Sequence, residues 1–390
     1  MQPRKIKDNI FWVGAVDWDR RLFDSLMPLP TGTSYNAYLI QGSEKTALLD
    51  TVDLTMSDLL LSQLSGIPRV DYIISHHAEQ DHSGSIPLIL QKYPQAKVIA
   101  TSKAKDLLPD HLGISADRMT IVADGDTLSL GDKTLKFVYT PWVHWPETMC
   151  TYLLQDRILF SCDFFGSHLA TSALFSEGGD FVIEAVKSYY ATIMMPFRMA
   201  IQKNLEKIKG LDIDLIAPSH GPIHSQPASI IGAYAGWVSD GLRNAAVVAY
   251  ASMHGSTKMM VQHLVNALIE RGVEVHQFDM VSASIEMLAT SLVDAVTVVL
   301  GAPVVHGGPH PQVAYAAYLA NILKPKLKYG AVIGSYGWGG KMVEQIAALM
   351  PNLKIEMIPP VLCKGIPREA DFKALDQLAA SIAQKHQGLS

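Results

Sequence analysis

Cysteine is scarce in this chain: three in 390 residues, at Cys150, Cys162 and Cys363, with no CxxC pair among them. That scarcity excludes a disulfide framework and any zinc-ribbon, iron–sulfur or rubredoxin-type centre. If the chain does redox work, its electrons must arrive from elsewhere. Long apolar runs are missing too. Residues 295–305 form one of the longest, well short of the ~18 needed to cross a bilayer, so no membrane association is expected. An excess of one charge is also lacking. Lys and Arg number 32 against 37 Asp and Glu, a net −5, which gives no reason to expect nucleic acid as a partner. No apolar signal core follows Met1-Gln2-Pro3-Arg4-Lys5, so the expected compartment is cytoplasmic. Internal repeats and low-complexity linkers are absent as well. What remains is a chain 48% hydrophobic and 18% charged, long enough for two domains.

The densest chemistry is His77-Ala78-Glu79-Gln80-Asp81-His82, just after the apolar run Val70-Asp71-Tyr72-Ile73-Ile74. Two imidazoles and two carboxylates so spaced cannot share one helix face; on a short loop leaving a strand they can converge. Further donors follow the ends of later apolar runs: His144 after residues 136–140, Asp163 after 157–161 and His220 after 214–218. Strand ends are where open sheets present binding groups. A two-metal set results, with His77, Glu79 and His144 on one ion, Asp81, His82 and His220 on the other, and Asp163 bridging. Glu79 leans the set toward iron, because zinc sites favour His or Cys where mixed carboxylate ligation suits iron or manganese. Singly, each residue has an ordinary explanation: Asp163 as a helix cap, Trp142 and Trp145 as core, Cys162 as a small buried residue. Seven donors at strand ends do not.

From about Asn244 the rhythm becomes strict strand–helix alternation, which implies a parallel sheet. Strands are predicted at 246–251, 273–279, 295–302, 329–335 and 354–361, and helices at 257–271, 284–290, 311–323, 341–349 and 371–385. The junction is placed within 236–243. The first strand runs into Ser252-Met253-His254-Gly255-Ser256-Thr257, where a helix starts. Hydroxyls, a glycine and a helix N-terminus there suit one phosphate. The loop is neither GxGxxG nor GxxxxGK[ST], so dinucleotides and nucleoside triphosphates are disfavoured and a monophosphate such as that of FMN fits. Two more strand-end loops can take a planar ring. One holds Pro303, Val304, His306, Gly307 and Gly308; the other holds Ser335, Tyr336, Gly337, Trp338, Gly339 and Gly340. Glycine allows close approach, and Tyr336 or Trp338 can stack on the ring.

The HxExDH run followed by His, Asp and His, with His144-Trp145-Pro146-Glu147-Thr148-Met149, Ser161-Cys162-Asp163-Phe164-Phe165-Gly166 and the glycine-rich loop at 334–340, resembles the flavo-diiron proteins over nearly the whole chain. Hydrolytic relatives of that superfamily carry His where Glu79 stands. The resemblance implies a metallo-β-lactamase-like αββα sandwich over 1–243 and a flavodoxin-like doubly wound parallel sheet over 244–390. It also implies FMN and two non-haem iron ions. The implied activity is an oxidoreductase reducing O2 to water, NO to N2O, or both. The implied partners are an external donor, rubredoxin or a reduced deazaflavin, and a second copy in a head-to-tail homodimer or dimer of dimers. Many members carry an F-H-G-Y sequence whose His and Tyr line the diatomic pocket; here the corresponding stretch is Phe23-Asp24-Ser25-Leu26, which leaves the choice between O2 and NO open. Two other readings are a zinc hydrolase with an appended flavodoxin-like domain and a pure electron carrier.

Overall fold

The computed structural model describes residues 2–388; Met1, Leu389 and Ser390, at the outer ends of the two expected domains, lie outside the described residues. The chain divides into two compact units, Met1–Tyr190 with Phe197–Val238, and Ala191–Pro196 with Ser239–Ser390. Helix Pro227–Val238 runs straight through Gly236, so the division falls after that helix, inside the expected junction.

The first unit stacks two seven-stranded sheets. In one, Tyr38–Gln41, Thr46–Leu49, Tyr72–Ile74 and Lys97–Ala100 lie side by side. Their side chains alternate with the period of a strand. Tyr38, Ile40, Leu49, Ile74 and Ile99 point inward, onto Leu135, Phe137, Met149, Leu153 and Phe160 of the second sheet. Leu39, Leu48, Ile73 and Val98 point outward, onto Leu60, Leu64, Ile86, Ile89 and Leu108 of the covering helices. Both faces of these strands are buried, which is why they read as near-continuous apolar runs. The second sheet contains Thr134–Tyr139, Met149–Leu153, Ile158–Cys162 and Leu215–Pro218. Helix Arg198–Lys209 lies against it, with Asn204 donating to Pro141 O and Lys207 to Tyr139 O. The result is the αββα sandwich.

In the second unit the parallel strands run in the order Glu274–Asp279, Arg243–Tyr250, Ala295–Val305, Tyr329–Tyr336, then Glu356–Met357. The order reverses beside Arg243–Tyr250, the switch point at which doubly wound sheets bind ligands. Helices Ser256–Ile269 and Glu369–Gln387 seal one face through Met260, Leu264, Leu268, Leu375, Leu378 and Ile382. Two details depart from the sequence reading. The third strand continues through Pro303 and Val304 to Val305 and turns back at Gly308–Pro309. His306 and Gly307 form the turn, both at positive φ (49° and 82°), as the favoured two-residue hairpin turns require. The predicted strand at 354–361 is broken into Glu356–Met357 and Val361–Lys364, because Pro359 and Pro360 carry no N–H for the ladder.

Candidate functional site

Four strand ends of the first unit deliver the candidate donors to one buried region. His77 and Glu79 follow strand Tyr72–Ile74, Glu79 in extended backbone, and Gln80–Ser83 then closes into a single helical turn. That turn, which the sequence reading had as loop, divides the motif between two groups of donors. His77, Glu79, His144 and Asp163 make the first, and Asp81, His82 and His220 the second; Asp50, His82 and Cys162 make a third that shares His82 with the second. Glu79 Oε2 is 3.1 Å from the Nε2 atoms of both His77 and His144. Asp81 spans the other pair, 3.3 Å from His82 Nε2 and 3.2 Å from His220 Nε2. Asp163 faces both groups. Its Oδ2 lies 3.6 Å from His77 and 3.5 Å from His144, and its Oδ1 lies 3.1 Å from His82 and 3.4 Å from His220.

These spacings fit metal ions. Donors about 2.1 Å from a shared ion stand roughly 3.0–3.5 Å from one another. Both carboxylate oxygens of Asp81, Oδ2 of Asp163 and Nε2 of His220 are buried without a hydrogen-bond partner among the described residues. Such orphaned polar groups are costly unless something else satisfies them. Without ions, the seven side chains form an imidazole–carboxylate lattice. Burial opposes the charged imidazole at His144 and His220, but the carboxylates facing their Nε2 atoms, Glu79 and Asp163 for His144 and Asp81 and Asp163 for His220, win, taking His144 to about 9 and His220 to about 10. Burial works against ionised Asp163 as well, yet the charge of His82 and the imidazoles of His144 and His220 facing it hold its carboxyl well below the usual range.

Groups around the donors aim them. His77 Nδ1 lies 2.7 Å from Glu147 Oε1 and His220 Nδ1 lies 2.7 Å from the Ser34 carbonyl. Each ring therefore donates from Nδ1 and turns the Nε2 lone pair toward the site. Tyr189 donates to Asp163 Oδ1 at 2.8 Å. His168 packs tilted against His220 at 5.0 Å and edge-on to Tyr189 at 4.8 Å between ring centroids. Burial, then the charge of His220, push His168 well below the usual range, so it is neutral. Cys162 is buried, and burial together with Asp163 raises its thiol well above its usual range, so it stays protonated. The stretch Phe23-Asp24-Ser25-Leu26 does reach the site. The Phe23 ring lies tilted 4.6 Å from His168 and edge-on 6.2 Å from His220, and the following residues form the tip of the hairpin Leu22–Phe23/Met27–Pro28. Burial and the charges of Glu79 and Asp81 raise the Asp24 carboxyl. Glu147, His168 and Tyr189 were missed from sequence. Only Glu147, three residues past His144, stood inside a motif already singled out.

In the second unit the three loops leave the same edge of the parallel sheet. Gly255 (φ 89°) caps helix Ser256–Ile269, and the Ser252 hydroxyl accepts from Lys258 N. Met253 and His254 are exposed, as are Gly337, Trp338, Gly339 and Gly340. Thr257 is buried, its hydroxyl 3.0 Å from Ser335 Oγ, so these two residues tie the first loop to the third. Lys341 N donates to Gly307 O, and a Cβ at Gly340 would stand 2.9 Å from that same carbonyl; this close approach joins the second loop to the third. Pro303 is buried in strand register with Ser335, so it lies in the sheet and not on the loop where the sequence reading put it.

Residues 33–221 match the ODP family beta lactamase. A nitric oxide reductase of Moorella thermoacetica is 37% identical over 98% of this chain and 99% of its own. The solved rubredoxin oxygen:oxidoreductase of Desulfovibrio gigas superposes with a TM-score of 0.95 at 30% identity, covering 99% of each chain. The flavodiiron protein of Giardia intestinalis does so at 0.92 and 27% identity, covering 100% of this chain and 97% of that one.

Proposed function

The chain belongs to the flavo-diiron proteins, and we propose that it passes electrons from FMN to a non-haem iron pair that reduces O2 to water, NO to N2O, or both. The single observation that carries this reading is the division of Asp163 between two groups of donors. A carboxylate with one oxygen facing each group is built to bridge two ions. We assign His77, Glu79 and His144 to one iron, Asp81, His82 and His220 to the other, and Asp163 to both. When bound, the iron pair supplies electrons and Lewis acidity, and the flavin supplies an electron pair released one at a time. The chain's own residues set the stage. Glu147 and the Ser34 carbonyl fix ring direction, Tyr189 holds one oxygen of the bridge, and Phe23 and His168 cover His220 with rings. The flavin is assigned to the strand-end stretches at 252–257, 303–308 and 335–340, its phosphate at the start of helix Ser256–Ile269. The iron pair then belongs to domain 1–243 and the flavin to domain 244–390. No helix among the described residues is long and apolar enough to cross a membrane, and we place the protein in the cytoplasm. Its donor is an external one, rubredoxin or a reduced deazaflavin.

The test is metal and flavin content together with anaerobic turnover of O2 and NO in one preparation. About two irons and one FMN per chain with turnover supports the reading. Two tightly held zinc ions with hydrolase activity, and no redox turnover after iron loading, overturns it. We further propose a head-to-tail dimer, alone or paired, in which one subunit's flavin serves the partner's iron pair. Mixing Asp163→Ala subunits with Ser256→Ala plus Thr257→Ala subunits should then restore turnover; verified heterodimers without turnover would point to transfer within one chain.

A further inference from the structure

Asp50 lies outside both groups of donors to which the irons are assigned, yet it touches the chain beside them on several sides. It is buried and left-handed at φ 52°, a conformation that an ordinary residue keeps only where its surroundings over-determine it. Its Oδ1 accepts from the His76 backbone N–H at 2.9 Å, and its Oδ2 lies 2.7 Å from His76 Nδ1. The Ser219 hydroxyl donates to the same Oδ2 at 3.3 Å. His76 directly precedes His77, and Ser219 directly precedes His220. The neighbouring Thr51 donates from both N and Oγ1 to the His82 carbonyl, at 2.8 and 2.6 Å. Ser219 N in turn donates to the carbonyl of Cys162, next to Asp163, at 2.8 Å. On its far side the His76 ring lies 2.7 Å from Thr151 Oγ1 through Nε2. With a carboxylate on Nδ1, that nitrogen donates, and in the neutral ring Nε2 then accepts from the Thr151 hydroxyl.

We propose that Asp50 is a positioning residue that sets both metal positions at once, through His76 on one side and Ser219 and Thr51 on the other, with Thr151 locking the His76 ring in the state this requires. The inference rests on the diiron assignment. Glu147 contrasts with it, since its carboxylate reaches His77 and the Ala78 N–H and, among the described residues, its other oxygen has no hydrogen-bond partner.

Thr151→Val keeps the shape of the side chain and removes the hydroxyl, leaving His76 Nε2 without a partner. Loss of a group bonded directly to a ligand typically costs 10–100-fold in metal affinity; Thr151 stands one neighbour further out, on the His76 ring, so iron release to a chelator should speed up by the lower end of that range, about tenfold, from each position. Mössbauer spectra of isotopically enriched holoprotein follow the two positions separately. Thr151→Ser should restore the wild-type rates, a rescue that loss of general packing would not give. Glu147→Gln should speed initial release from the His77 position alone, and Ser219→Ala from the His220 position alone. FMN retention, read in parallel, should not change. A wild-type protein that takes up no iron pair would remove the diiron assignment itself. With wild-type iron intact, Thr151→Val that releases iron at the wild-type rate, or from one position only, overturns the positioning role. Should Thr151→Val fail to fold, Ser219→Ala with wild-type release from both positions overturns it instead.

Discussion

In the first unit five of the seven candidate donors are buried side chains, His77 and Asp163 at 0% exposure, with Glu79 and His144 partly buried, whereas the flavin edge of the second unit presents glycine backbone and a Trp338 that is 81% exposed. The difference follows from what each ligand asks of a protein. An ion needs particular donor atoms at fixed separations, and only buried side chains held by partners such as Glu147 and Asp50 supply them. A flavin phosphate can be held largely by a helix N-terminus and hydroxyls, and a flat ring needs room against backbone. The first site is therefore rigid and intolerant of substitution, and the second should fail by degrees.

The largest expected effect comes from Asp163→Ala. Metal analysis should show loss of both ions, with affinity down by more than about 100-fold and turnover at background, while FMN stays bound. The flavin unit should give a smaller and separable loss. Hydrogen bonds to a charged phosphate contribute about 1.5–3 kcal/mol each, so Ser256→Ala with Thr257→Ala should weaken FMN binding at least ~10-fold without loss of iron. Because the Thr257 hydroxyl is already engaged with Ser335, Ser256→Ala alone should account for most of that change. Flavin titration of the two single variants would decide it, and an unchanged affinity would put the phosphate elsewhere.

Glu79→His should act within the metal unit only, shifting the first position toward zinc and lowering turnover. Full iron content and rate in that variant would mean Glu79 is no ligand. The smallest effect is one of pH. Metal-free His144 and His220, raised to about 9 and about 10, carry protons at neutral pH, and those protons must leave before Nε2 can bind an ion. Loading metal-free protein near neutral pH should release protons into a pH-stat. Uptake should weaken as pH falls below about 9 and level off above about 10. Flavin binding has no such imidazole lattice to displace, and metal uptake without proton release would contradict the picture of the site.

The same contrast decides how much was legible in the sequence. The seven donors stand out because their types are unusual at strand ends and each acts by its own side chain. The strands that carry them read as apolar runs because both faces are buried. The single helical turn at Gln80–Ser83, which splits one motif between two positions, left no separate mark, since its residues already belonged to the ligand pattern. His168, Tyr189 and Asp50 were missed because they work through neighbours brought close only by folding: His168 by packing its ring against His220, Tyr189 by its bond to Asp163, Asp50 through His76 and Ser219. In the second unit, alternation of strands and helices was readable. The run of the third strand through Pro303 to a His306-Gly307 turn was not, because proline and glycine usually mark the end of a strand.

The most direct test of the account starts from iron-loaded protein with its FMN fully reduced under anaerobic conditions, to which NO is added in limiting amount while flavin absorbance and N2O are followed together. The account predicts rapid flavin reoxidation with one N2O for every two NO, or the equivalent with O2 and water if that is the preferred substrate, and the disappearance of both signals in Asp163→Ala with its flavin still bound. Reoxidation at the same rate in Asp163→Ala, or no consumption of either gas by the iron-loaded protein, would contradict it.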